Sequence, residues 1–141
     1  MEESRILAID YGKKRIGLAI TDPLRLFAIP HSTIPNDSKT INHIALLIKE
    51  KFVSEVILGN PVKESGDDSE LSKEIRKFKD ELEKFCGIEI TLVDERYSSE
   101  IAFKRIIETT PSKKKRRNKS LIDKNAAAII LEDYLKMQNN I

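Results

Sequence analysis

Two stretches near the N-terminus, Arg5 to Asp10 (RILAID) and Arg15 to Thr21 (RIGLAIT), are short apolar runs rich in Ile and Leu. The turn-forming Tyr11-Gly12-Lys13-Lys14 joins them, so they read as a β-hairpin. A third strand is expected within Leu26 to Ile34, where Pro30 removes a ladder donor and directs the strand to a sheet edge. The period then changes: Ile41, Ile44, Ala45, Ile48 and Phe52 recur at helical spacing after the cap candidates Asp37 and Ser38, predicting a helix to about Lys51. Val56 to Gly59 reads as a short buried strand. Asp67 to Glu70 offers a capping box for a second helix with the stripe Leu71, Ile75, Phe78, Leu82 and Phe85, stopped by Gly87. Ile88 to Val93 is the next strand, and a helix follows from about Ser99 to Glu108. Thr109 to Lys119 has no apolar period and reads as a flexible loop, after which Ser120 caps a last helix to about Met137.

The order βββαβαβαα predicts an α/β fold. Its first strands form an antiparallel meander and its later ones run parallel through right-handed crossovers, giving a mixed five-stranded sheet with helices on its faces. A length of 141 residues suits a single domain, 1–141, with an ordinary core and no staples. The single cysteine, Cys86, makes no intramolecular disulfide and fits a reducing compartment. The longest apolar run, Ala126 to Leu131, is far short of a membrane span, and the N-terminal residues lack a signal-peptide pattern. A cytoplasmic protein without membrane partners is expected.

Net charge is only +2, but its distribution is uneven. Between Lys113 and Lys124, the cations Lys113, Lys114, Lys115, Arg116, Arg117, Lys119 and Lys124 face Asp123 alone, a local +6 that leaves −4 for the rest. A mildly acidic body with one strongly basic segment is the asymmetry of a surface that meets a polyanion, although a solvated charge run without a partner has the same composition.

Three acids stand where packing alone would not put them. Asp10 ends the first strand on the face of Ile6 and Ala8, where a charge is costly unless paired. Gly12 lies two residues on and would admit a phosphate or metal to the backbone, with Lys13, Lys14 and Arg15 in the same turn. A turn aspartate accepting a backbone amide is the plainer alternative. At the end of the last strand, Glu95 rather than Asp94 shares the face of Thr91 and Val93. On the final helix, Asp123 heads the stripe Ala127, Ile130 and Tyr134, and a first-turn acid in a capping box with Ser120 is compatible with that position. Acids gathered at one sheet edge repel unless cations are present, and an all-oxygen set without suitably spaced Cys or His favours Mg²⁺ or Mn²⁺. Two metals on carboxylates are a known arrangement for in-line attack of water on a phosphodiester. No Ser/His/Asp set points to covalent catalysis.

At these residues the chain resembles the YqgF family, Holliday-junction-resolvase-like proteins also described as pre-16S rRNA nucleases, which have the ribonuclease H-like fold. DYGKKRIGLAITD resembles the family's opening motif with its catalytic aspartate at Asp10, and GNP at Gly59 to Pro61 resembles its Gly-Leu-Pro. DERYSS resembles its Asp-Glu-Arg motif, carrying an acid onto Glu95, and IDKNAAAIILEDYL resembles its closing helix, carrying the third onto Asp123. Asn60 replaces the usual Leu, and Tyr97, Ser98 and Ser99 stand where Leu-Thr-Thr is commoner. The resemblance implies a metal-dependent nuclease with Mg²⁺ or Mn²⁺ at Asp10, Glu95 and Asp123. Its nucleic-acid partner would be a structured RNA precursor, in 5′-end processing of pre-16S rRNA, or branched DNA. Lys13, Lys14, Arg15, Arg96 and the run Lys113, Lys114, Lys115, Arg116, Arg117 and Lys119 are the expected backbone contacts. The chain would act as a monomer or homodimer without a nucleotide cofactor. The rivals are an actin-like ATPase or sugar kinase, which pairs two such domains where this chain has one, and a non-catalytic nucleic-acid-binding module.

Overall fold

A computed structural model of the chain describes residues 4–61, 70–95, 104 and 119–139. Five strands form one sheet: β1 (Arg5–Tyr11), β2 (Arg15–Thr21), β3 (Ala28–Pro35), β4 (Val53–Pro61) and β5 (Ile90–Glu95), in the spatial order β3-β2-β1-β4-β5. β1 pairs antiparallel with β2 and β2 with β3, whereas β4 lies parallel to both β1 and β5. The mixed five-stranded sheet is the expected one. β3 lies at its edge, where Pro30 withholds no needed donor, and its ladder shifts register between Leu18 and Ala19.

Three described helices cover the sheet: α1 (Thr40–Glu50), α2 (Glu70–Cys86) and α3 (Lys119–Asn139). α1 and α2 cover one face, where Leu7, Ile9, Ile16, Leu18, Val56 and Leu58 meet Ile44, Leu47, Ile75, Phe78 and Leu82. α3 covers the other, where Ile6, Ala8, Ala19 and Ile57 meet Ala127, Ala128, Ile130, Leu131 and Leu135. Four of the nine buried residues in this second contact are alanines. Ala8 and Ala19 are cross-strand partners and face an Ala-rich helix turn, so backbone approaches backbone closely. Each fully buried Ile or Leu contributes about 1.5–3 kcal/mol of transfer free energy, so the two-sided core accounts for both apolar and small positions along β1.

Several local expectations are corrected. Neither Asp37 nor Ser38 caps α1: its N-cap is Lys39, without a side-chain cap bond. Asp37 instead accepts the Lys39 N–H, and the Thr40 hydroxyl accepts from Asp37 and donates to the Pro35 carbonyl. Phe85 is exposed, since α2 turns it away from the sheet near Gly87, whose φ of +67° ends the helix, and Cys86 packs against the core instead. α3 begins by Lys119, so Lys119 is helical rather than in the preceding loop and Ser120 lies inside the first turn instead of capping it. The expected helix Ser99 to Glu108, apart from helical Lys104, and the capping box Asp67 to Glu70, apart from Glu70, lie outside the described residues.

Candidate active site

Strand alternation puts Asp10 on the α3 face, continuing Ile6 and Ala8, and its cross-strand partner is Gly17. The first described turns of α3 cross this point. A Cβ built on Gly17 would lie 2.5 Å from the Asp123 carbonyl carbon and closer still to its oxygen. Only a glycine lets α3 seat here, and this seating brings the Asp123 backbone above the partner of Asp10. Both acids are half-buried, as carboxylates at the rim of an apolar layer should be.

Arg15 enters β2 two residues before Gly17 and so lies on the same face. Its Nε donates to Asp123 Oδ2 at 2.8 Å, with 38% and 23% of the two side chains exposed. A charge-assisted bond of this length at the rim contributes up to about 1 kcal/mol. Arg15, expected among the phosphate contacts, is therefore in this structure a carboxylate partner.

The hairpin that carries Asp10 and Arg15 is held by a residue whose role the sequence did not reveal. Asn36 donates its Nδ2 to the Gly12 carbonyl at 2.8 Å, and its backbone N–H to the Lys14 carbonyl at 2.9 Å. No periodicity marks Asn36; its only signal is an amide side chain between a strand and a helix. The glycine at position 12 also has a reason within the turn itself. A Cβ there would lie 2.5 Å from the Arg15 carbonyl oxygen, so the tight turn itself excludes a side chain.

Glu95 ends β5. The ladders pair Ala8 with Ile57, Ile57 with Thr91 and Pro61 with Glu95, so register assigns position 95 to the face of Asp10. Two interstrand steps, about 10 Å, separate the β1 and β5 lines. Among the described residues no group of three His, Cys, Asp or Glu side chains gathers in a metal-holding arrangement. Asn60 pairs in register with Asp94 and shares the opposite face with Leu58, its buried Oδ1 without a hydrogen-bond partner among the described residues. This departure from the family motif thus stands across the sheet from Asp10. Lys13 and Lys14 are exposed at the hairpin tip, Lys13 lying 3.9 Å from Glu74 of α2. Arg96 and Lys113 to Arg117 lie outside the described residues, as do Tyr97, Ser98 and Ser99. Burial pushes the Cys86 thiol up from its ordinary value, which argues against a thiolate nucleophile there.

Solved structures with this architecture include the RuvC of Thermus thermophilus in complex with a Holliday junction substrate, at a TM-score of 0.59 and 14% identity over 96% of this chain and 97% of that one. The Fowlpox virus resolvase in complex with Holliday junction DNA matches at 0.56 and 18%, over 96% and 99%. The fold is therefore ribonuclease H-like, as the resemblance implied. Among relatives in sequence, proteins named "Putative pre-16S rRNA nuclease" are 39% identical in Endomicrobium trichonymphae, over 97% of this chain and 99% of that protein, and 42% identical in Chlorobium phaeobacteroides, over 96% and 94%. The model of the RuvX family, described as Holliday junction resolvase, matches residues 4–137. With that match over almost its whole length, and with relatives of this identity, the chain belongs to the RuvX family, the YqgF proteins whose motifs it carries.

Proposed function

We propose that this chain is a divalent-metal-dependent nuclease that processes the 5′ end of pre-16S ribosomal RNA in the cytoplasm, with Asp10, Glu95 and Asp123 as its metal-holding acids. One observation supports the reading: Asp10 pairs with Gly17, and the Asp123 backbone lies against that same glycine, so a strand-end acid and a helix acid stand at one end of one sheet face. Family membership supports the hydrolase class, and the names of the relatives support the RNA.

Carboxylate oxygens with no Cys or His among them fit Mg²⁺ or Mn²⁺. Bound there, such a cation supplies Lewis-acid polarisation of the phosphoryl group and a more acidic water. The chain's own residues do the rest. β1 and α3 hold their acids on rigid elements, so the donors are preorganised. Lys13 and Lys14 at the hairpin tip, Arg96 beside Glu95, and the run Lys113, Lys114, Lys115, Arg116, Arg117 and Lys119 ahead of Asp123 attract the phosphate backbone and set its register without reading bases.

Branched DNA is the second reading, favoured by the description of the family as Holliday junction resolvase. Purified protein is incubated with a 5′-extended ribosomal RNA precursor, a four-way DNA junction or a plain duplex, in Mg²⁺, Mn²⁺ or EDTA, with ATP hydrolysis as a control. Cleavage of the precursor in metal, absent in EDTA and in Asp10→Asn, is expected. Preferential cutting of the junction would move the substrate to DNA. Binding of all three without cleavage of any would replace the nuclease by a binding module.

A further inference from the structure

The Arg15–Asp123 pair joins residues 108 positions apart and occupies one of the acids assigned above to metal binding. The guanidinium holds Asp123 through Oδ2, and a divalent cation on the same carboxylate would lie within a few ångströms of it, where charges of +1 and +2 repel strongly. That repulsion favours release of the weaker-held cation. Arg15 is free to leave, because over a third of its side chain already faces solvent and giving up Asp123 costs it little desolvation. Its next partner is set by chemistry: a planar guanidinium matches a phosphate as well as it matches a carboxylate. Asp10 and Gly17 fix this switch beside the proposed cleavage point, since Arg15, Gly17 and Asp10 share one end of the α3 face.

We propose that Arg15 is a placeholder cation: it neutralises Asp123 in the metal-free protein, gives up that carboxylate to a divalent cation, and then takes a phosphate of the nucleic-acid backbone. The inference rests on Asp123 as a metal ligand. Metal loading and phosphate capture are then linked, each favouring the other through one side chain. Unloaded protein keeps Arg15 on Asp123 and lacks one phosphate contact, so it holds nucleic acid less tightly than the loaded form.

Two measurements test this. The first is calorimetric titration of Mn²⁺ into wild-type protein and into Arg15→Gln, Arg15→Lys, Asp10→Asn and Asp123→Asn, without nucleic acid. Arg15→Gln should bind Mn²⁺ roughly three- to tenfold more tightly than wild type, Arg15→Lys should fall between them, and the Asp variants should lose affinity. If the Asp variants lose affinity while Arg15→Gln is unchanged or weaker, Arg15 does not compete with the cation and the placeholder is overturned, with the metal site intact. If the Asp variants bind Mn²⁺ as wild type does, Asp123 is not a ligand and both proposals fall. Arg15→Lys serves the same purpose should Arg15→Gln fail to fold.

The second measurement is the salt dependence of binding to a four-way DNA junction, in EDTA and in Ca²⁺. Arg15→Gln should match the wild-type slope of log affinity against log salt in EDTA, and be shallower by about 0.7–0.9 in Ca²⁺. The same deficit in both conditions would mean that Arg15 contacts phosphate regardless of the cation, and would overturn the switch.

Discussion

The backbone of Asp123 rests on Gly17, with no room between them for a methyl group. The acid on α3 proposed to hold metal is therefore positioned by a residue without a side chain, on the strand that also pairs with Asp10. Gly17→Ala would force α3 away from β2 at this point. The expected cost is about 1–3 kcal/mol of stability, the usual range for overpacking a tight contact. Because the displaced turn carries Asp123, Mn²⁺ affinity should fall as well. A thermal melt and a calorimetric titration check the two effects. A variant as stable as wild type would mean that the helix shifts freely, and that the close approach does not position the acid.

Asp10 and Asp123 differ in their surroundings, so their asparagine variants should differ in stability while both lose cleavage. Asp123→Asn gives up the ion pair to Arg15 and should lower the metal-free melting temperature, by the equivalent of about 0.2–1 kcal/mol. Asp10→Asn leaves the Arg15–Asp123 pair in place and lowers the negative charge at this end of the sheet face, so it should leave the melting temperature unchanged or higher, the usual trade between stability and a charged site. Melting in EDTA together with cleavage in Mg²⁺ separates the two. Near-normal turnover by either variant would remove that acid from the site.

Much of the proposed site is written locally in the chain. Asp10 is identifiable because strand alternation counts from Ile6 and Ala8, and both lie under α3. Asp123 is identifiable because helical spacing carries it to Ala127 and Ile130, and both are buried. Arg15 carries no such signal: its partner is distant in sequence, and a cation in a polar turn reads as solvated or phosphate-binding until the fold closes. Gly17 is similar, since a glycine inside a strand can mark a bulge, weak packing or a close approach, and only the crossing of α3 decides. Phe85 failed for the reverse reason. It fits the apolar stripe of α2, but in the last turn Cys86 packs against the core in its place, and Phe85 remains 59% exposed.

Asn36 tests whether the hairpin must be held from outside. Its side-chain bond to the Gly12 carbonyl contributes about 1 kcal/mol, so Asn36→Ala should lower the melting temperature by a few degrees. The larger effect should be on rate, because the turn links Asp10 to Arg15. A fall in kcat with little change in KM is expected from substrate titrations in Mg²⁺. Unaltered kcat would show that the β1–β2 ladder alone fixes the two residues.

Asp22 gives a pH signature remote from the site. Burial pushes its carboxyl up, but N–H donations from Phe27, Leu26 and Leu24 outweigh that and hold it below its ordinary value. A depressed folded-state value stabilises the fold above the unfolded carboxylate range near pH ~3.9, and that contribution is lost as pH falls through the folded value. The melting temperature of Asp22→Asn should therefore lie below that of wild type at pH 7, and the gap should narrow as pH falls below the carboxylate range. A constant gap from neutral to acid pH would mean that the loop is insensitive to this charge.

The basic run ahead of α3 separates polyanion binding from metal chemistry. Lys113 to Lys119 holds six cations in seven residues with no apolar anchor, so its contacts should go to phosphates rather than base edges. Each phosphate contact contributes roughly 0.7–0.9 to the slope of log affinity against log salt. Replacing Lys114, Arg116 and Arg117 together by Ala should thus flatten the slope by about 2 and weaken RNA binding across sequences. Mn²⁺ affinity should not change, because none of the three belongs to the acid set. The measurement is a salt titration of RNA binding in Ca²⁺, chosen to suppress cleavage, paired with Mn²⁺ calorimetry. An unchanged slope would make this run an ordinary solvated charge cluster. The backbone would then have to bind elsewhere, the exposed Lys13 and Lys14 of the hairpin tip being the next candidates.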